Sequence, residues 1–447
     1  MNKETRPRKP SSVRHTRAIQ RDRTKRSISA PSDEQVKDRL IEIVHPATLA
    51  QVSHFHDLGL RERTLNLPIM VAFVLEMIWR QISGVCELAR LVQGEAILWA
   101  TPMKVSQQAL SQRLTTLPSE LFLKVLMSVL PVLQQRWEKR QRPLPRELAW
   151  AQERYGQVCV HDGSTLDALI RKLGLLQDLP NNPLAGRMTA LLDLCSRLPV
   201  QIWYGADSQA HDQRFWPRVL AVLKPGSLLI FDLGYTHFAT FAQLTRAQVM
   251  FITRAKSNLV YEPERPLLHT PAVRDELVWI GQGADRQLVR LVQVLYGTQW
   301  RRYLTNELDI ERLPTAYVVA LYHQRWRIED AYAIVKRLLG LAYFWSGSQN
   351  AVEMQLWATW LLYAVLIDLC DAVAEALHQP FAAVSLEMVY RSLYFFTQAR
   401  QRGEATDVIA YLAANTKWLG IVKRKRKSAR PSPLTLVASL LTDSRLP

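Results

Sequence analysis

Apolar and polar residues follow two different periods along this chain, and the period changes twice. Over 32–140 apolar positions recur every three or four residues, the spacing that lines one face of a helix. Within that part, 67–81 is strongly apolar and opens near Pro68. The shorter runs 83–92 and 105–114 flank a break at Gly94, and 119–137 leads into the basic end Glu138-Lys139-Arg140. Pro143 and Pro145 close the helical part. The runs then become short and β-like at 157–160, 188–195, 200–204, 227–231 and 249–253, with a hairpin predicted to turn over 196–199. The stretch 258–305 reads as several more strands, including 276–280 and 287–294. Helical spacing returns over 320–340 and continues to the end. The pattern predicts an α/β chain with a helical N-terminal part, a strand-rich middle and a helical C-terminal region.

At 447 residues the chain can bury a large core and divides into two or three domains. With 48% hydrophobic and 22% charged residues it is ordinary in composition, which excludes a wholly disordered chain. Its net charge of +17 points to a polyanionic partner. That charge sits at the ends. Residues 1–27 hold ten Lys/Arg against two acids, a balance of +8, and the run KRKRKSAR at 423–430 adds +6, so the ends carry +14 of the +17. The body is nearly neutral between two basic arms, which we read as nucleic-acid contacts.

Cys86, Cys159, Cys195 and Cys370 are far apart, lack CxxC spacing and sit in apolar contexts, as buried free thiols in a reducing compartment would. No apolar secretory leader opens the chain. The apolar run 356–377 contains Asp368, Asp371 and Glu375, so it predicts a core helix rather than a membrane span. The expectation is a cytoplasmic protein without a membrane partner. In the helical N-terminal part, 83–92 and 105–114 could form a helix-turn-helix, with Gln107, Gln108, Gln112 and Arg113 facing DNA; plain helical packing is the competing account.

The stretch 320–340, ALYHQRWRIEDAYAIVKRLLG, carries the chemistry. On a helix advancing about 100° per residue, Tyr322, Arg325, Glu329 and Lys336 share an arc of roughly 60°. Ile328, Tyr332, Val335 and Leu339 form an apolar stripe beside it. A phenol, a guanidinium, a carboxylate and an ammonium bordering a buried face suit the binding of phosphates and a metal. An i,i+4 ion pair between Arg325 and Glu329 is the plainer account and is compatible with that use. Two more acids follow apolar runs: Asp162 in Asp-Gly-Ser-Thr and Asp232 in Asp-Leu-Gly-Tyr. Alone, Asp-Gly after a strand reads as a turn. Three carboxylates from two strand ends and a helix make a hard oxygen site for two Mg²⁺ or Mn²⁺ ions, which serve phosphodiester displacement. His161 should point to the opposite face of its strand from Asp162.

The spacing Tyr322-x2-Arg325-x3-Glu329-x6-Lys336, with its Arg-Trp-x-Ile-Glu core, resembles the Y-R-E-K signature of DDE transposases in a large bacterial insertion-sequence group. Asp162 and Asp232 look like that family's first and second catalytic aspartates, and the likeness covers about 158–360. The resemblance implies an RNase H-like mixed sheet interrupted by a β-strand insertion. It implies an arm at 1–31, a helical DNA-binding domain at 32–145, a catalytic domain at 146–257 and 306–375 with the insertion at 258–305, and a helical region with a basic tail at 376–447.

It also implies cut-and-paste transposition by hydrolysis, hairpin formation and strand transfer at terminal inverted repeats. The partners would be those repeats and target DNA, with a homodimer in the synaptic complex, in a bacterial, nucleoid-associated setting. Asp162, Asp232 and Glu329 would hold the metals, and Tyr322, Arg325 and Lys336 the DNA phosphates. Trp300 and Trp326 are candidates to stack on an unpaired base. A cleavage-inactive DNA-binding protein and an RNase H-like nuclease without strand transfer are the alternatives.

Overall fold

The computed structural model describes residues 34–82, 84–166, 186–207, 212–235, 237–341, 344–345, 348–423 and 431–442. The N-terminal arm and most of the 423–430 run lie outside them. The helical N-terminal part contains α1 (Glu34–Leu49), α2 (Leu67–Trp79), α3 (Val85–Gly94), α4 (Gln107–Thr116) and α5 (Glu120–Lys139). Local chemistry starts α2: Asn66 accepts a hydrogen bond from the Ile69 amide, and Pro68 occupies the first turn.

The middle forms one nine-stranded sheet, ordered β3-β2-β1-β4-β5-β9-β8-β7-β6. Its strands are β1 (Val158–Thr165), β2 (Arg187–Asp193), β3 (Pro199–Gly205), β4 (Leu228–Phe231), β5 (Met250–Arg254), β6 (Glu262–His269), β7 (Val273–Ile280), β8 (Gln287–Tyr296) and β9 (Gln299–Thr305). β1, β4 and β5 run parallel; β2 and β3 form the expected hairpin on one flank. The strands from 262 to 305 do not stand apart. β9 pairs antiparallel with β5, so these strands extend the same sheet.

Side-chain alternation divides the sheet into two apolar faces. Cys159, Leu229, Phe231 and Phe251 pack with α6 (Trp216–Val222) and α7 (Phe238–Arg246). Val158, Val160, Leu228 and Ile230 belong to the other, larger core, which runs from Leu40 to Val437. That face is covered by α8 (Thr315–His323), α9 (Trp326–Ala333) and α10 (Gln349–Ala376), and the N-terminal helices share the same core, α5 lying along α10.

The expected continuous helix over 320–340 is interrupted. Gln324 and Arg325 form a turn between α8 and α9, and Ile334–Leu338 is a π-turn with a Leu339 N–H to Ile334 C=O bond of 2.9 Å. The π-turn admits one extra residue and re-aims the side chains beyond it. Gly340, at φ +75°, ends the segment in the left-handed conformation that glycine adopts without strain.

Helix α10 is long and apolar enough to cross a membrane, yet its apolar stretch is entirely buried inside the protein. Its two interior acids are paired. Asp368 accepts from Arg39 at 2.8 Å and Arg140 at 2.6 Å, and Asp371 meets Arg140 and Arg142. Cys159, Cys195 and Cys370 are buried as expected, but Cys86 is exposed. It lies in the first turn of an amphipathic helix whose buried face is set by Val85, Leu88, Ala89 and Val92.

Candidate active site

The parallel pairing of β1 with β4 brings the two aspartates together. Its register runs from Val158–Leu228 to His161–Phe231, so the next residues on the two chains are Asp162 and Asp232. Two residues along from Val160 and Ile230, both acids face the larger core, on the side covered by α8 and α9. Asp162 is not in a turn after the strand. β1 continues to Thr165, with Asp162 opposite Ala190 of β2, so strand pairing overrides the local Asp-Gly turn preference.

Glu329 arrives from α9, and the three carboxylates converge on one guanidinium. Arg325 Nη1 lies 3.0 Å from Asp162, Nη2 lies 2.9 Å from Glu329, and Nε lies 3.8 Å from Asp232. The expected i,i+4 pair is therefore present, as one arm of a three-way cluster. The Arg325 side chain is 8% exposed, whereas Asp232 and Glu329 are 43% and 41% exposed. Burial alone would lower the Arg325 pKa, but the surrounding Asp232, Tyr322, Asp162 and Glu329 raise it, so it stays a cation. Tyr322 donates to Asp232 at 3.2 Å; burial and the Asp232 charge push its phenol up, which keeps it a donor. Its ring also meets Tyr303 of β9 edge-on at 5.3 Å.

Lys336 does not join this cluster. Within the π-turn its ammonium donates to Ser164 Oγ at 2.6 Å and to the Thr165 carbonyl at 2.5 Å, holding the end of β1. Trp326 is 54% exposed at the edge of the site, with Arg325 5.1 Å from its ring centroid. Trp300 is not brought to the site. It alternates with Tyr303 along β9 and so faces the other side of the sheet, under Arg274 at 4.7 Å.

In α4, Gln107, Gln108 and Gln112 are exposed. Arg113 instead turns inward, donating to the Leu65 carbonyl at 2.9 Å and lying 5.5 Å from the Phe55 ring, so it ties α4 to the segment before α2 rather than facing outward. His161 faces away from Asp162, as strand alternation requires. It is buried against Trp216 and Tyr235, and burial drives its imidazole down to about 3, so it is neutral near pH 7.

Sequence reasoning missed Tyr332, which reads as one more member of the apolar stripe. Its hydroxyl donates to the Asp162 carbonyl at 2.6 Å and accepts from the Ala190 amide at 3.1 Å, so it stands between β1 and β2 beside the acid. Its position three residues after Glu329 was the only available signal. Tyr332→Phe should lower stability by about 1–3 kcal/mol, because a buried amide and carbonyl lose their shared partner. An unchanged urea midpoint would mean that the two strands close on each other without it.

The donor set fits a hard divalent cation: three carboxylates, two of them partly open to solvent, and among the described residues no thiol or imidazole directed at them. As arranged, they enclose the guanidinium, and among the described residues no three His, Cys, Asp or Glu side chains are grouped to hold a metal ion.

Comparison with known proteins finds likenesses over part of the chain. Residues 185–365 match the transposase DDE domain, a span that includes Asp232 and Glu329 but begins after Asp162. A Sinorhizobium fredii protein named as a transposase, y4zB, is 29% identical over 160 residues, covering 33% of this chain and 44% of that protein. The chain thus spans less than half the length of this relative. The piggyBac transposase in its synaptic complex with hairpin DNA, solved by cryo-electron microscopy, aligns over 88% of this chain and 86% of its own at 12% identity, with a TM-score of 0.38; at that level the likeness does not define the fold. Together the domain match and the relative support a DDE transposase, with residues 185–365 as the part of the chain on which that kinship rests.

Proposed function

We propose that this protein is a cut-and-paste DNA transposase of the Y-R-E-K insertion-sequence group, with an RNase H-like catalytic domain. The observation that carries the reading is the convergence of Asp162, Asp232 and Glu329 on one side of a sheet, at the end of a parallel strand pair. The strand order β3-β2-β1-β4-β5, with an antiparallel hairpin flanking parallel strands, supports the fold assignment.

Asp162, Asp232 and Glu329 would hold two Mg²⁺ or Mn²⁺ ions, which supply charge stabilisation to both the attacking and the leaving oxygen. The chain's own groups do the rest. Tyr322 orients Asp232, Arg325 offers a planar fork to a backbone phosphate, and Lys336 secures the strand end behind Asp162. Hydrolysis at a transposon end breaks a P–O3′ bond and leaves a 3′-hydroxyl. That hydroxyl attacks the opposite strand, forming one P–O bond as another breaks, to give a hairpin. Reopening and the same displacement on target DNA complete transfer, within a homodimer that pairs two ends. Trp326, exposed beside Arg325, is suited to stack on a base at the cut end. We assign the reaction to the bacterial cytoplasm.

Purified protein incubated with a supercoiled plasmid bearing the element's terminal repeats should give Mg²⁺-dependent nicks and then hairpin-ended product. Nicks without hairpins would favour a nuclease lacking strand transfer; no cleavage would favour a DNA-binding protein only. The basic arms should dominate the salt dependence of binding. Deleting residues 1–31, which hold ten Lys/Arg, should flatten the slope of log K against log salt by roughly 0.9 for each phosphate lost. An unchanged slope would assign DNA affinity to the folded body.

A further inference from the structure

Arg325 occupies the place where a shared cation would sit. Its two terminal nitrogens bind Asp162 and Glu329, while Nε faces Asp232 at 3.8 Å, too long for a hydrogen bond. Nε is buried and has no hydrogen-bond partner among the described residues. The guanidinium is therefore held by charge and only partly satisfied in its hydrogen bonds. Three carboxylates brought together without a cation repel one another, and a bound cation or an added proton relieves that repulsion. A divalent ion beside the guanidinium would meet repulsion instead, so the two cannot share the cage comfortably.

We propose that Arg325 couples DNA binding to metal binding. Without DNA its guanidinium closes the carboxylate cluster. With DNA it moves to a backbone phosphate, a bidentate partner matched to its fork, and leaves the carboxylates to the metal. The cluster then binds metal weakly until DNA arrives, which restrains cutting before the ends are engaged. Linkage makes the effect reciprocal: the factor by which DNA tightens metal binding is the factor by which metal tightens DNA binding. Trp326 is exposed and lies beside the guanidinium. The inference rests on the reading that these carboxylates hold a divalent cation.

The test is a Mn²⁺ titration of the full chain, read by calorimetry and electron paramagnetic resonance, with and without a duplex of the terminal repeat that ends at the cleavage position. Without DNA, Arg325→Met should bind Mn²⁺ about tenfold or more tightly than the unaltered protein, and Arg325→Lys should fall between them. The duplex should tighten Mn²⁺ binding by about the same factor in the unaltered protein and hardly at all in Arg325→Met. Equal Mn²⁺ affinity in the two proteins without DNA would overturn the coupling while leaving the metal site standing. If Asp232→Asn and Glu329→Gln leave Mn²⁺ binding unchanged, the metal-site reading itself fails. Arg325→Met should also melt at a lower temperature than the unaltered protein and recover with Mn²⁺; no recovery counts against the proposal.

Discussion

Glu329→Gln should reduce strand cleavage by at least about 10³-fold while terminal-repeat binding, measured without divalent cation, stays within about twofold. The substitution keeps the shape of the side chain, and the amide oxygen can still accept from Arg325 Nη2, now 2.9 Å from the carboxylate. What it removes is one of three negative charges. Charge stabilisation at a two-metal centre is worth several kcal/mol, and each 1.4 kcal/mol is a factor of ten in rate. On the proposed reading, DNA affinity would depend instead on the cations, chiefly the +8 and +6 of the two ends, which the substitution leaves alone. A nicking assay and a gel shift on the same preparation measure both quantities. Parallel loss of binding and cleavage would show that Glu329 acts through the fold rather than at the reacting phosphate.

The second large effect is expected far from the acids. Arg290 and Asp275 are both fully buried and joined by two bonds, Nε to Oδ1 at 2.6 Å and Nη2 to Oδ2 at 2.5 Å. Asp275 also accepts from Thr315 Oγ1 at 2.6 Å, and Arg290 donates to the Leu313 carbonyl at 2.6 Å. The pair thus fastens β7 and β8 to the first residue of α8, the helix that ends beside Tyr322 and Arg325. Arg290→Met leaves Asp275 as an uncompensated buried charge and should cost about 3–5 kcal/mol, read as a lower urea midpoint. The double variant Arg290→Met with Asp275→Leu should recover most of that loss, because the penalty belongs to the stranded charge more than to the pair. Cleavage should fall in the single variant in step with the mis-set helix. A single variant as stable as the parent would mean that solvent reaches the pair.

Much of the outline is legible from residue order. Apolar spacing marks the helices up to 140 and from 320, and short apolar runs mark β1 to β5. The Tyr-Arg-Glu-Lys spacing singles out the right stretch. These signals are local, carried by neighbours within one or two turns or along one strand. The extent of β1 is less visible. Asp-Gly is a turn signal, and only pairing with β2 as far as Thr165 turns that dipeptide into strand. The break at Gln324–Arg325 and the π-turn at Ile334–Leu338 are likewise hidden, since every residue there is compatible with an ordinary helix.

Sequence by itself determined which residues could take part: three acids, one arginine four residues before the last of them, a basic charge held at the two ends, and a core helix carrying Asp368, Asp371 and Glu375. Tertiary structure alone decided which of them meet. A parallel register sets Asp162 beside Asp232 across an offset of seventy residues, a relation no local pattern encodes. The same packing put Arg325 among all three carboxylates, made Tyr332 a link between β1 and β2, turned Arg113 inward and set Trp300 on the far face of the sheet. Periodicity tells which face of an element is buried, but what that face meets depends on contacts between residues distant in the chain.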